Sequence, residues 1–250
     1  MSKRVAQQRN AAKLIKEQKA QEARRKLIIL ISAVSVLTLA VGGMVGYVFY
    51  VSGKPIAHAT PAGANAEGTG IVVGNGPVTV EVYQDYLCPS CKAFHDSADD
   101  TLEQLAKENK IKLVTHPIAI LDRLSTNQYS SRSAAATGCA ADGGKFAEIS
   151  DVLYANQPAE GGAGHTDEQL IAYGKGVGLG DGFATCVTSG TYKTWPAFTT
   201  DESGNRGVNS TPSIFVNDKK VAPANGQSIS DAVYAAIAAA GGPTVNSGAR

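Results

Sequence analysis

The longest hydrophobic stretch of the chain is residues 27–51, which contain no charged residue. At about 1.5 Å per residue, a helix of this length reaches roughly 37 Å, enough to cross a hydrocarbon core of about 30 Å. The triplet Ala57-His58-Ala59 resembles a signal-peptide cleavage site. Signal peptides, however, have apolar cores of only about 7–15 residues. We therefore expect an uncleaved transmembrane helix, with a cleaved signal peptide as the alternative.

Beyond residue 77 the apolar positions form shorter groups. Residues 78–83 and 111–116 are short runs rich in β-branched residues, which indicates strands. Between them, apolar residues recur every three or four positions from Phe94 to Leu105, which indicates a helix that begins near the first cysteines.

The pattern then becomes helical over residues 125–190. Within it, Thr166 and Gln169 have the spacing of a capping box. Strand character returns at 213–216 and 219–221, and an alanine-rich helix follows. The order predicts an α/β fold in which a helical insertion interrupts the sheet.

The segment 52–76 is rich in Gly, Ala and Pro and has no sustained periodicity. We expect it to be a flexible linker between the membrane segment and a folded domain of residues 77–241. Residues 242–250 then form a C-terminal tail.

Charge is distributed unequally along the chain. Residues 1–26 hold nine Lys or Arg and two Glu, whereas the part beyond residue 51 holds 14 Lys or Arg and 20 Asp or Glu. The positive-inside rule therefore predicts a basic cytoplasmic tail and a domain outside the cell membrane. Nucleic-acid binding is not expected, because no aromatic residues alternate with the basic ones.

The candidate chemistry lies in Cys88-Pro89-Ser90-Cys91, where the first predicted strand meets its helix. A helix N-terminus lowers the pKa of a thiol there, and the thiolate is the reactive form. Pro89 is tolerated because the first helical turn needs no N–H bond at its position. The motif therefore predicts a redox-active cysteine pair.

Two alternatives to redox chemistry exist for this motif. One is a zinc site that includes His95, but a fourth ligand with suitable spacing is missing. The other is an inert disulfide. We expect no metal and no cofactor.

Two stretches together carry a family resemblance: residues 85–91, DYLCPSC, and residues 210–216, STPSIFV. In this order, and with a helical insertion between them, they resemble the DsbA-like branch of the thioredoxin superfamily. The resemblance covers roughly residues 76–241. The anchor resembles that of Gram-positive and actinobacterial members. A thioredoxin-like fold with a helical insertion, preceded by one transmembrane helix, is implied.

The resemblance also implies roles for individual residues. Cys88 would be the exposed nucleophile and Cys91 the buried resolving thiol, with Pro89 and Ser90 tuning the thiolate; the Ser90 hydroxyl could donate a hydrogen bond to the Cys88 sulfur. The Thr211–Pro212 peptide bond would be cis and face the cysteines. The Thr211 backbone would then pair with an extended substrate strand.

One position departs from the family pattern. Many thioredoxin-fold enzymes have a buried carboxylate six residues before the first cysteine, where this chain has Val82. Glu81 stands one residue earlier, so either it points away from the cysteines or the register differs. The proton acceptor for Cys91 is therefore left unassigned. Asp85 matches an acidic family position, and we expect it to face solvent or to cap the helix.

Cys139 and Cys186 lie in separate helices of the insertion and are too isolated for a catalytic pair. An even number of cysteines in an oxidising compartment favours a second, structural disulfide between them. A resolving or shuttling role is the alternative.

The resemblance implies a thiol–disulfide oxidoreductase, and we expect a protein disulfide oxidase that acts on secreted or membrane proteins. A quinone-coupled membrane partner of the DsbB or vitamin K epoxide reductase-like (VKOR-like) type would reoxidise it. No separate dimerisation domain is visible in the sequence, which argues against the cup-shaped isomerases; we expect a monomer. The alternatives are a reductase or isomerase with the same residues, and a non-catalytic binding or chaperone module.

Overall fold

The computed structural model describes residues 19, 21, 24–26, 29–44, 46–47 and 56–245. The chain forms two units, Met1–Pro55 and Ile56–Arg250. In the first unit, helix α1 (Arg24–Met44) is long and apolar enough to cross a membrane, judged by length and composition. Its apolar side chains are exposed, Leu39 by 77%. The predicted basic tail up to residue 18 and the end of the predicted span at 48–51 lie outside the described residues.

The second unit is built on a five-stranded mixed sheet with the order β1-β3-β2-β4-β5. The strands are β1 (Ile71–Val73), β2 (Thr79–Gln84), β3 (Lys112–Pro117), β4 (Ser213–Val216) and β5 (Lys219–Lys220). Strand β2 is parallel to β3 and antiparallel to β4, so it lies at the centre of the sheet. Strand β1 pairs with the outer side of β3 in antiparallel fashion.

Two helices flank one face of the sheet: α2 (Pro89–Lys107) and α8 (Ile229–Ala239). The residues with helical spacing on α2 and the alternate residues Val80 and Val82 of β2 meet there in one apolar cluster. Val245 packs against this cluster as well, so the predicted tail at 242–250 begins too early. Residues 246–250 lie outside the described part of the chain.

A helical insertion separates β3 from β4. It consists of a 3-10 turn (Asp122–Leu124) and five helices, α3 (Tyr129–Asp142), α4 (Phe146–Ala155), α5 (Asp167–Gly176), α6 (Asp181–Ser189) and α7 (Trp195–Asn205). The predicted capping box of Thr166 and Gln169 starts α5. The predicted end at residue 190 is wrong because α7 extends the insertion to residue 205. Sequence periodicity missed α7 because two of its buried residues, Thr199 and Ser203, are polar.

The prediction of a flexible linker at 52–76 is wrong for residues 56–76, which belong to the fold. Trp195 donates a hydrogen bond from Nε1 to the Gly68 carbonyl at 2.7 Å. Gly76 reflects a close backbone approach, because a Cβ there would lie 2.4 Å from the Ile111 nitrogen. Residues 52–55 lie outside the described residues.

Candidate active site

Cys88 is the residue at which the turn after β2 becomes helix α2. Its backbone is still extended, with φ −76° and ψ 118°, and Pro89 is the first helical residue. The Cys88 N–H donates to the Asp85 carbonyl at 3.0 Å, and the Cys88 carbonyl accepts the N–H of Lys92 at 3.1 Å. The cysteine therefore stands at a helix N-terminus, as the sequence pattern predicted.

The second motif lies against the first. Strand β4 pairs with β2 and begins at Ser213, which is opposite Tyr83. The loop before β4 contains the Thr211–Pro212 peptide bond, which is cis, the conformation that the resemblance implied. The Cys88 sulfur lies 3.4 Å from the Thr211 carbonyl oxygen. Residues 123 positions apart in the sequence are thus brought into one site.

The two thiols are both largely covered. Cys91 is 1% exposed, as expected for a buried thiol, but Cys88 is only 6% exposed and is less open than predicted. The Thr211 segment over the Cys88 sulfur accounts for this difference. Pro89 and Ser90 are exposed beside it. A substrate would therefore approach Cys88 from the side of the Pro89–Ser90 turn.

The local hydrogen bonds separate the acidities of the two cysteines. The hydrogen bond from Cys91 outweighs the effect of burial and, together with Thr211 and the backbone N–H groups of Cys91 and Ser90, lowers the pKa of Cys88 to about 6. Burial, followed by the proximity of Cys88, raises the pKa of Cys91 well above its ordinary value. Ser90 therefore lowers the pKa of Cys88 through its backbone N–H, whereas the sequence suggested its hydroxyl. At neutral pH this site combines a thiolate at Cys88 with a thiol at Cys91.

Asp85 is completely buried, so the expectation that it faces solvent is wrong. Its carboxylate accepts N–H bonds from Leu87 at 2.9 Å and from Leu121 at 3.0 Å. Burial raises the pKa of Asp85 to about 6, although these hydrogen bonds oppose the shift. A strongly perturbed carboxyl next to reactive cysteines is a functional candidate, and no pattern in the sequence indicates its burial.

Glu81 points away from the cysteines. It forms an ion pair with Arg206, and its other oxygen lies 3.6 Å from Nε2 of His116. Its neighbour Val82 faces α2 on the opposite side of the sheet. The sequence left open whether Glu81 points away from the cysteines or the register differs. The structure shows that Glu81 points away.

His95 is held by two carboxylates. Its Nδ1 lies 3.3 Å from Asp99 and its Nε2 lies 3.1 Å from Asp151. Burial opposes protonation, but the neighbouring carboxylates of Asp151 and Asp99 raise the pKa of His95 to about 9. These residues could offer three metal ligands within 4.8 Å of one another. Because each ring nitrogen faces its own carboxylate, an imidazolium between two carboxylates accounts for the arrangement without a metal.

A disulfide joins Cys139 of α3 to Cys186 of α6, and Cys88 and Cys91 are free thiols. The Cys139–Cys186 disulfide therefore links two helices of the insertion.

A groove of about 830 Å³ opens beside the cysteine turn. Ser90, Phe94, Thr211 and Pro212 line its end near Cys88. Apolar and hydroxyl side chains of the β5–α8 region, including Val221, Pro223, Ser228, Ile229 and Tyr234, line the rest. An extended peptide laid in this groove would pass the Pro89–Ser90 turn.

One further contact escaped sequence reasoning. Gln157, just after α4, donates from Nε2 to the Tyr86 and Cys88 carbonyls, each at 3.0 Å.

A cysteine pair of unequal acidity at a helix start, packed against a cis-proline loop, defines a thiol–disulfide oxidoreductase of the DsbA-like type. The thioredoxin family model matches residues 66–235, and the chain belongs to that family. No protein among the curated ones matches the sequence.

Solved structures of similar fold include bacterial thiol–disulfide oxidoreductases. The disulfide bond oxidoreductase DsbG from Mycobacterium tuberculosis is 26% identical, with 73% of this chain and 92% of that chain covered and a TM-score of 0.61. Oxidised DsbA from the same organism is 26% identical, with 69% and 93% covered and a TM-score of 0.59. MdbA from Actinomyces oris, 20% identical with 78% and 96% covered and a TM-score of 0.58, shares the fold.

Proposed function

We propose that this protein is a membrane-anchored oxidase that forms disulfide bonds in secreted or membrane proteins outside the cytoplasm. The single observation that carries the proposal is the contrast between a Cys88 pKa lowered to about 6 and a Cys91 pKa raised well above its ordinary value. A stabilised thiolate favours the reduced form of a cysteine pair, which makes the corresponding disulfide an oxidant.

The reaction begins with the Cys88–Cys91 disulfide. A substrate thiolate attacks the Cys88 sulfur, the Cys88–Cys91 bond breaks, and Cys91 leaves and takes up a proton from solvent. A second substrate thiolate attacks the substrate sulfur of the mixed disulfide, and Cys88 leaves as a thiolate. Two electrons pass from the substrate dithiol to the cysteine pair, which ends reduced.

The position of Cys88 supports its role as the sulfur that exchanges with the substrate. Its sulfur lies 3.4 Å from the carbonyl oxygen of Thr211, a residue of the groove, and its thiol is the more acidic of the two, whereas Cys91 is 1% exposed. The Thr211 backbone lies against the same sulfur, where it can pair with the extended chain of a substrate. The groove beyond it offers apolar contacts to substrate residues that flank the reacting cysteine.

The proposed location is supported by α1 and the charges before it, and the proposed reoxidising partner rests on the family resemblance. Nine basic residues before the apolar span support a cytoplasmic N-terminus and an extracytoplasmic catalytic domain. A quinone-coupled membrane protein of the DsbB or VKOR-like type would reoxidise the pair. The protein is proposed to act as a monomer without metal or cofactor, and the Cys139–Cys186 disulfide is proposed to be structural.

The test is the redox equilibrium of the full chain in detergent against glutathione. A potential near −120 mV supports an oxidase, whereas one near −270 mV indicates a reductase. Oxidation of a reduced two-cysteine peptide by the wild type and by Cys88→Ala provides the second measurement. Equal activity of the two proteins would instead indicate a binding module.

A further inference from the structure

A side chain of the helical insertion reaches the backbone of the cysteine turn. Gln157 follows α4, and its Nε2 lies 3.0 Å from the Tyr86 carbonyl oxygen and 3.0 Å from the Cys88 carbonyl oxygen. The residues joined are 71 and 69 positions apart in the sequence. No local sequence pattern creates this contact, which depends on how the insertion packs onto the sheet.

The orientation of this amide is fixed by its partners. A side-chain amide nitrogen has two N–H donors, and here each donor has one carbonyl acceptor. The reversed amide would place its oxygen against two carbonyl oxygens. The Gln157 backbone is also restrained, because its N–H donates to the Tyr154 carbonyl at 3.2 Å and Pro158 follows it. The donor group is therefore held in one place.

What Gln157 holds is the peptide group at the start of α2. The Cys88 carbonyl also accepts the first helical hydrogen bond, from the Lys92 N–H at 3.1 Å. The direction of this peptide group determines where the N–H groups of the first turn point. Two of these, from Ser90 and Cys91, are among the hydrogen bonds that lower the pKa of Cys88. A rotation of the Cys88 carbonyl would therefore move thiolate-stabilising donors away from the sulfur.

We propose that Gln157 is a positioning residue that fixes the Cys88 peptide group and through which the helical insertion sets the reactivity of Cys88. This inference depends on the proposed function in one respect: the reactivity of Cys88 serves disulfide exchange. Gln157 itself touches neither sulfur in the contacts of the described residues, so its effect is indirect.

The test compares three substitutions in the full chain, reduced and in detergent. Gln157→Ala removes both donors, and Gln157→Met removes them while keeping most of the side-chain volume. Asn156→Ala is the matched control, because the Asn156 side chain donates only within its own helix, to the Val152 carbonyl at 2.8 Å. The measurements are the ultraviolet absorbance of the thiolate against pH and the rate of alkylation of Cys88 at pH 6.

We expect both Gln157 variants to move the thiolate titration to higher pH and to slow alkylation at pH 6 by about threefold, the effect of weakening one of the N–H bonds from Ser90 or Cys91 to the sulfur. Asn156→Ala should leave both quantities unchanged. Thermal unfolding of all variants separates this effect from a general loss of stability.

An unchanged titration in folded Gln157→Met would overturn the proposal, and so would an equal shift in Asn156→Ala. The titration needs no substrate. A wild-type protein that fails to oxidise peptides would therefore refute the proposed function and leave this test intact.

Discussion

The Asp85 carboxylate accepts the backbone N–H of Leu121 at 3.0 Å, which connects the cysteine turn to the loop after β3. Asp85 is 0% exposed, so this carboxylate has been removed from water to make the contact. A buried acid with few compensating charges destabilises the fold when it is ionised. A carboxyl whose pKa is raised by burial close to reactive cysteines is a candidate functional group.

The buried position of Asp85 predicts a pH dependence of stability. Its folded-state pKa of about 6 exceeds that of an unfolded aspartate, so the native state binds the proton more tightly. Relative to Asp85→Asn, the wild type should therefore gain unfolding free energy as the pH falls from 7 to 4. The expected gain is on the order of 2 kcal/mol, measured by urea unfolding.

The control is Asp100→Asn, which changes an exposed carboxylate of α2. It should follow the wild type across the same pH range. A constant difference between wild type and Asp85→Asn from pH 4 to pH 7 would contradict the prediction.

The second prediction concerns the reactivity of the two thiols. Because the pKa of Cys88 is lowered to about 6 and that of Cys91 is raised well above its ordinary value, alkylation of the reduced protein should occur at Cys88 alone. Its rate should rise with pH, reach half its maximum near pH 6 and then level off. Mass spectrometry of the alkylated protein measures both the rate and the site. Substantial modification of Cys91 at neutral pH would show that the assignment is reversed.

The third prediction concerns the contact between α2 and α4 through His95 and Asp151. A pKa raised to about 9 means that the charged imidazole stabilises the fold fully below pH 6.5 and that this stability is lost as the pH rises through 9. Relative to His95→Gln, the wild type should lose on the order of 1 kcal/mol over that window. The expected loss is small because the Asp151 side chain is 57% exposed and water screens its charge.

His165→Gln is the matched control for this measurement. His165 lies in the insertion that also carries Asp151, but its Nε2 lies 2.6 Å from a backbone carbonyl oxygen, that of Asn156, and not from a carboxylate. Chemical unfolding from pH 6 to pH 9.5 gives the comparison. If His95→Gln and wild type keep a fixed difference, the ion pair contributes no pH-dependent stability.

The fourth prediction concerns the second disulfide. Replacing both Cys139 and Cys186 by alanine opens a loop closed at a separation of 47 residues. The chain-entropy model predicts a loss of about 4 kcal/mol of unfolding free energy. Oxidation of a test peptide should persist at a temperature where the variant is still folded. A folded variant without that activity would indicate a shuttling role for the pair.

Local signals explain what the sequence could predict. The cysteine motif, the strand before it and the capping box of Thr166 and Gln169 each depend on residues a few positions apart, and the structure contains all three. The cis bond before Pro212 came from a family resemblance, because a proline that opens a strand reads the same in sequence alone.

Features that depend on distant partners were missed. In the sequence Asp85 resembles a surface residue, but in the fold it is buried and accepts the N–H of Leu121. Helix α7 buries Thr199, whose hydroxyl donates to the Pro117 carbonyl at 2.7 Å. The buried face of α7 therefore shows no periodic pattern of apolar residues. Gln157 follows a helix end like any polar loop residue. In each case a hydrogen bond across the fold replaces the apolar periodicity on which prediction depends.

The pairing of β1 with β3 has a consequence for solubility. A bare β3 would present unpaired N–H and C=O groups along a strand whose residues are mostly buried in the intact fold, and such an edge recruits strands from neighbouring molecules. Three residues, Ile71–Val73, cover it. A version cut at residue 77, where sequence composition places the boundary, would therefore keep both cysteines and the cis-proline loop yet tend to self-associate.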